Sequence, residues 1–408
     1  MSKLEIDFIR AQFPAFDEPS LEGQAFFENA GGSYTSKFVI DRLHRYYTQR
    51  KVQPYGPYDA SRLAGEEMDE ARSRLAGVLN IPANDLSFGP STTQNTYVLA
   101  QAFRQMLSEG DVVIVTNQDH EANSGPWRRL AESGIEVREW AVDPDSGFLN
   151  LSDLADLLDE KVKLVTFPHV SNIVGQINPV AEICGMVQAA GAVACVDGVS
   201  FAPHGLPDIK ALGADIYLFS AYKTYGPHQG IMYVRSDLAE KLPNQGHYFN
   251  AGSAYKRFTP AGPDHAQIAA SAGMVDYIEA VHDRHFDGDV SLDQKGWATL
   301  ELQARYETEL LAPLLEYLRG RNDVRLIGSD KAEGRVPTIA LGLGRPGGEV
   351  AKDLAAHGVM AGGGDFYAVR LLKGLGIDPE HGVLRLSFVH YTARSEIEQL
   401  MKALDRVL

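Results

Sequence analysis

From about residue 85 onward, short apolar runs alternate with longer stretches whose apolar positions recur at helical spacing. DVVIVT (111–116), VKLVTF (162–167), AVACVD (192–197), DIYLF (215–219) and GIMYVR (230–235) read as strands. Their apolar character is nearly continuous, which predicts strands buried on both faces. Between them, LSDLADLLDE (151–160) is a helical segment. A second helix follows Asn178-Pro179: Val180, Ile183 and Val187 share a face, and Gly191 supplies a stop. Strands separated by helices predict a mostly parallel sheet covered by helices. Residues 263–320 read as predominantly helical. Beyond them VRLIG, PTIALGL and VLRLSF are strand-like, with helices near 348–357 and 394–407, which suits a smaller α+β domain.

A length of 408 residues is compatible with two domains. The change of texture places a boundary near 285–300: an amino-terminal segment (1–25), a large domain (26–290) and a carboxyl-terminal small domain (291–408). No internal repeat or low-complexity tract interrupts this division. Acidic residues outnumber basic ones 54 to 38, for a formal charge of -16, which disfavours a broad face for nucleic acid or anionic membrane. The two cysteines, Cys184 and Cys195, cannot form a disulfide framework, so a reducing compartment is expected. The amino terminus carries early acids and no apolar run, and no segment approaches the length of a membrane span. The expected location is the cytoplasm.

Four places carry candidate chemistry. Lys223 stands in SAYKTYGPHQG, just past the strand that ends at Ser220, at the sheet edge where α/β proteins hold ligands. A partly desolvated lysine there is a usable amine nucleophile; a solvated loop lysine is the plainer reading. Asp197 closes the run AVACVD, where a carboxylate caps the next turn or holds a cationic ring nitrogen. In GPSTTQNTYVLAQAF (89–103), small hydroxyl residues open a helix whose free N–H groups suit a phosphate, although a simple cap explains them as well. His120, in DHEAN beyond the first strand of the series, lies either on an aromatic ligand or in an ordinary loop.

In order along the chain, FFENAGG (26–32), DHEAN (119–123), HVSNIVGQINP (169–179), VDGVSFAPH (196–204), SAYKTYGPHQG (220–230) and VLRLSFVHYT (383–392) resemble the class V aminotransferase and cysteine desulfurase family. These are fold-type I enzymes that use pyridoxal 5'-phosphate, and the resemblance runs from about residue 25 to the end. It implies an α/β large domain around a mostly parallel seven-stranded sheet, with a smaller α+β domain, in a homodimer. It makes Lys223 the Schiff-base lysine, Asp197 the partner of the ring nitrogen and His120 the residue stacked on the ring. Thr92, Thr93, Ser200, Ser220 and Tyr222 complete the cofactor set, and Asn172 contacts the ring oxygen. Asn29, Ala30, Gly31, Asn172 and Arg385 fall to an amino-acid substrate, the arginine as a fork for its carboxylate.

The chain also departs from that pattern. The loop that carries the persulfide cysteine in desulfurases corresponds to VMAGGGDFYAVRL (359–371), which has no cysteine and places Tyr367 nearest its position. Tyr222 replaces a histidine, Ser200 a glutamine and Gly262 a threonine. The pattern is most similar to the "cysteine desulfurase-like" branch. The expected activity is carbon–sulfur bond cleavage on a cysteine-like amino acid without a persulfide relay, with no sulfur-acceptor protein assigned. A class V aminotransferase is the alternative. A nicotinamide oxidoreductase is a further one, since Gly342, Gly344 and Gly347 fit G-x-G-x-x-G with Asp365 downstream, as is a non-catalytic binding protein. No acidic or histidine cluster has the spacing of a metal site.

Overall fold

The computed structural model describes residues 2–408. It contains thirteen strands: β1 (Ala25–Phe26), β2 (Leu86–Gly89), β3 (Val112–Thr116), β4 (Glu136–Trp140), β5 (Val162–Pro168), β6 (Val193–Asp197), β7 (Ile216–Ser220), β8 (Gly230–Val234), β9 (Val324–Ile327), β10 (Thr338–Leu343), β11 (Val359–Met360), β12 (Gly362–Gly364) and β13 (Val383–Ser387). Seven of them form one sheet in the order β2-β8-β7-β6-β5-β3-β4. Only β8 runs against its neighbours. The apolar runs foreseen from sequence are the central strands, and β3, β7 and β8 are buried at every position. Alternation explains why both faces had to be apolar. Tyr217 and Phe219 of β7 enter the core on one side of the sheet, and Ile216 and Leu218 enter the core on the other.

A second sheet, β12-β13-β10-β9, is antiparallel and belongs to the small domain. Its core takes Leu310, Leu311, Leu314, Leu315 and Leu318 from the long helix Leu292–Arg319, and Ile397, Leu400 and Leu404 from the helix Arg394–Val407. The sequence boundary at 290/291 falls just ahead of that 28-residue helix. Its first turns pack on the large domain, with Leu292 against Gly77 and Gly296 against Val78, while its later turns serve the small one. The domains are therefore joined by a rigid rod, not by a linker. The amino-terminal side differs from the expected division too. The short strand β1 pairs in parallel with β11, and Ala25 and Phe27 lie in the small-domain core. Ahead of β1, Leu4, Ile9 and Phe13 pack with Tyr225, Tyr277 and Tyr391, so the amino-terminal segment touches both domains.

The G-x-G-x-x-G stretch lies outside any parallel βαβ unit. β10 is an antiparallel strand, and a Cβ on Gly347 would collide with the backbone of Val383. Asp365 is spent locally, accepting the Tyr367 N–H at 2.8 Å. These glycines serve a turn and a close helix–strand contact, so the dinucleotide reading lacks its structural context. Among the described residues no helix is long and apolar enough to cross a membrane, and no cluster of His, Cys, Asp and Glu could hold a metal ion.

Candidate active site

Every candidate cofactor residue follows the carboxyl end of a strand that points the same way. Thr92 and Thr93 come after β2, His120 after β3, Asn172 after β5, Asp197 and Ser200 at the end of β6, and Ser220, Tyr222 and Lys223 at the end of β7. Parallel strands deliver successive loops to one edge of the sheet, which is why residues some 130 positions apart in sequence meet. All nine line one cavity, together with Ala122, Pro168, Val170 and Val199.

Part of the cavity lining suits an anion. Ser91 caps the helix Thr92–Met106, its hydroxyl accepting the Gln94 N–H, so the first turn presents the backbone N–H groups of Thr92 and Thr93. The hydroxyls of Thr92 and Ser220 stand 2.8 Å apart and cross-link helix to strand end. Gly230 permits this approach, since a Cβ there would overlap the backbone of Ser91 and Thr92. Replacing Gly230 by Ala is expected to cost about 1–3 kcal/mol by overpacking and to weaken phosphate binding. A lower thermal midpoint with an intact far-ultraviolet spectrum is the signature to measure.

Lys223 ends a short turn whose flanks are pinned. The Ser33 hydroxyl donates to Tyr222 O at 3.1 Å and accepts the Tyr225 N–H at 2.6 Å, bridging both sides of the lysine. Thr224 Oγ1 donates back to Ser220 O at 3.1 Å. Burial, reinforced by the Arg385 guanidinium, pushes the Lys223 amine down to about 8, against the opposing pull of Asp197 and Glu28. A neutral amine is the nucleophile, so uptake of the pyridoxal vitamer by apoprotein is expected to accelerate as pH rises through about 8. Stopped-flow absorbance across pH 6.5–9.5, roughly bracketing that value, measures this; a rate that falls with rising pH contradicts it.

Asp197 is buried, and one carboxylate oxygen accepts the Val199 N–H at 2.8 Å. Burial pushes it up to about 6. The buried carboxyl of Asp119, which the sequence reading left unassigned, is pushed up to about 8 by burial and by the nearby charge of Asp197. Asp119 is held by Thr116 Oγ1 at 2.8 Å and Asn123 Nδ2 at 2.9 Å. Burial thus acts harder on Asp119, and Asp197, on the cavity wall, is the more acidic of the two. His120 is neutral: burial, then the charges of Lys223 and Arg385, push it down to about 3. Its Nδ1 accepts the Ala122 N–H at 3.0 Å, which leaves the ring proton on Nε2. A flat, uncharged imidazole is suited to lying on an aromatic ring. Tyr222 is stacked at 4.7 Å on His228.

Asn172 Nδ2 donates to Phe366 O at 3.0 Å, and its Oδ1 is buried without a partner. Arg385 rises from β13 and is buried, its guanidinium 3.8 Å from the Phe366 ring centroid. Its Nη2 donates to Glu28 Oε1 at 2.6 Å, so the fork expected for a substrate carboxylate already holds an internal one. Glu28 was missed from sequence although it opens the ENAGG motif. Of the residues expected to touch substrate, Asn172 lines the cavity, whereas Asn29, Ala30, Gly31 and Arg385 stand outside that lining: Asn29 Oδ1 accepts the Tyr391 hydroxyl, Ala30 N donates to Ser387 Oγ at 2.8 Å, and Gly31 N donates to Glu28 O at 2.9 Å. Tyr367 lies over His120, ring centroids 5.2 Å apart, and is 70% exposed. Both cysteines are buried, and burial raises the Cys184 thiol to about 12 and Cys195 further still, so neither is a thiolate.

The groups that line the cavity suit pyridoxal phosphate: an N–H-rich helix start with hydroxyls, an amine of lowered basicity, a buried carboxylate and an orphaned Asn172 Oδ1. The sequence profile of the family described as aminotransferase class-V matches residues 25–279, and the chain belongs to that family of pyridoxal phosphate enzymes. The chain is 32% identical over 421 residues to the "Aminotransferase-like protein FGM3" of Gibberella zeae, covering 100% of this chain and 99% of that protein. It is 29% identical to a "Cysteine desulfurase" of Serratia proteamaculans, with 98% of each covered. Its fold matches the apo structure of a cysteine desulfurase from Thermococcus onnurineus NA1, with a TM-score of 0.85 at 23% identity over 100% of this chain and 99% of that one.

Proposed function

We propose that the protein is a pyridoxal phosphate enzyme that breaks the carbon–sulfur bond of a cysteine-like amino acid by direct β-elimination. The observation that carries the reading is the meeting of Lys223, Asp197 and the Thr92–Ser220 hydroxyl pair in one cavity at the carboxyl edge of the sheet. When bound, the cofactor supplies an electron sink for the pair left at the substrate's α-carbon. The chain's own groups do the rest. Thr92, Thr93, Ser220 and Tyr222 bind the phosphate, and Asp197 keeps a proton on the ring nitrogen. His120 covers the ring, and Asn172 orients the ring oxygen. Lys223, with its lowered basicity, takes the α-proton and passes it to the departing sulfur, and the unsaturated amino acid left behind hydrolyses with water to pyruvate and ammonia. Arg385 aligns the substrate carboxylate.

Sulfide, pyruvate and ammonia are the products of that route. The absence of an exposed cysteine favours it over a persulfide relay, because the two thiols of this chain are buried far above neutral basicity. Amino-group transfer is the second reading, favoured by the relative described as aminotransferase-like. The homodimer belongs to this proposal as well. Tyr248 and Phe249 are 89% and 70% exposed, and segment 258–263 forms a groove with the first turns of the phosphate-binding helix. Incubation with a panel of amino acids, measuring sulfide, pyruvate, alanine, keto acid and carbon dioxide in parallel, tests the reaction. Sulfide with pyruvate in equal amounts is expected from L-cysteine; a keto acid made only when a second keto acid is supplied contradicts elimination.

A further inference from the structure

We propose that Glu28 is an internal carboxylate that occupies the anion fork of Arg385 and must be displaced before a substrate carboxylate can bind. The inference rests on the assignment of the cavity to an amino-acid substrate and deepens it, making Glu28 the residue that sets how strongly carboxylates are admitted.

The pair is a built feature. Arg385 is fixed on three sides, by Glu28 Oε1 at 2.6 Å, by Asn172 O at 3.4 Å and by the Phe366 ring 3.8 Å from its Cζ. Glycines make room for the opposing carboxylate: a Cβ on Gly31 would stand 2.8 Å from Glu28 Oε1, and one on Gly362 2.8 Å from its Cδ. Yet the pairing is incomplete. Arg385 Nε and Glu28 Oε2 are both buried with no partner, so the fork retains an unused donor and the carboxylate an unused acceptor. A two-point Arg–carboxylate contact is the stronger arrangement, and this pair does not make it. The partners also differ in exposure: the Arg385 side chain is 4% exposed and Glu28 28%, so of the two the carboxylate has solvent to move into. The pair adjoins the cavity through Asn172, which lines it and whose carbonyl accepts from Arg385 Nη1, and both charges act on the Lys223 amine.

An arriving carboxylate can take the unused Nε–H together with the Nη position that Glu28 vacates, one anion replacing another without leaving a buried charge unpaired. An amine without a carboxylate leaves Glu28 where it is. The residue therefore weakens carboxylate binding selectively, by competition.

The test titrates propionate, and separately ethylamine, by calorimetry into the pyridoxal phosphate-loaded wild-type protein and into Glu28→Gln. Propionate is expected to bind about tenfold more tightly to the variant, the order of one charge-assisted contact, with ethylamine changed less than about twofold. Equal or weaker propionate binding in Glu28→Gln overturns the proposal. Should that variant fail to fold, Glu28→Asp keeps the charge but draws the carboxylate back by one methylene. A smaller gain for propionate is then expected, and no gain overturns the proposal. The visible absorption of the same samples reports on the cofactor separately. A protein that never takes up the vitamer refutes the functional reading, while propionate titrated into unloaded protein still decides the role of Glu28.

Discussion

Lys223→Ala is expected to lose the visible absorption band of the purified protein and to lower turnover at least about 10³-fold, the combined loss of covalent attachment and of the proton carrier. The fold should survive. The lysine contributes no hydrogen bond that holds its own turn, which is pinned instead through Ser33, Thr224 and the backbone of Tyr222 and Tyr225. Far-ultraviolet dichroism and the thermal midpoint should therefore match the wild type. Full activity in the variant would remove Lys223 from the chemistry altogether.

Asp197→Asn separates charge from shape. The amide oxygen keeps the Val199 N–H bond, so the end of β6 should hold its geometry. What disappears is a buried negative charge, the one the proposed function sets against the ring nitrogen, in a setting where electrostatic interactions are strong. A fall in turnover of about 10²–10³-fold is expected, the scale of removing one preorganised electrostatic group, with the visible band retained because Lys223 is intact. Steady-state kinetics beside an absorption spectrum check both halves. An Asp197→Asn protein with wild-type turnover would mean that the carboxylate only caps a strand.

The central sheet was legible because its strands are apolar on both faces, a local property of each run. Sites at strand ends were legible for the same reason: once a parallel sheet is read, Lys223, Asp197 and His120 are placed on one edge without knowledge of their contacts. The domain boundary was harder to read, because Leu292–Arg319 is one uninterrupted helix whose apolar face changes partner midway. Strand β1 was invisible for a different reason. It spans two residues, and its partner lies more than three hundred positions away. The Glu28–Arg385 pair is separated by 357 positions, and no periodicity marks which acid finds which base. Asp119 shows the limit within a motif: its role comes from burial next to Asp197, which DHEAN alone does not reveal.

The most direct measurement is borohydride reduction of the purified, vitamer-loaded protein followed by peptide mapping in a mass spectrometer. A single pyridoxyl phosphate adduct on the peptide that carries Lys223 is the predicted result. An adduct on a different lysine, or none at all, would contradict the account.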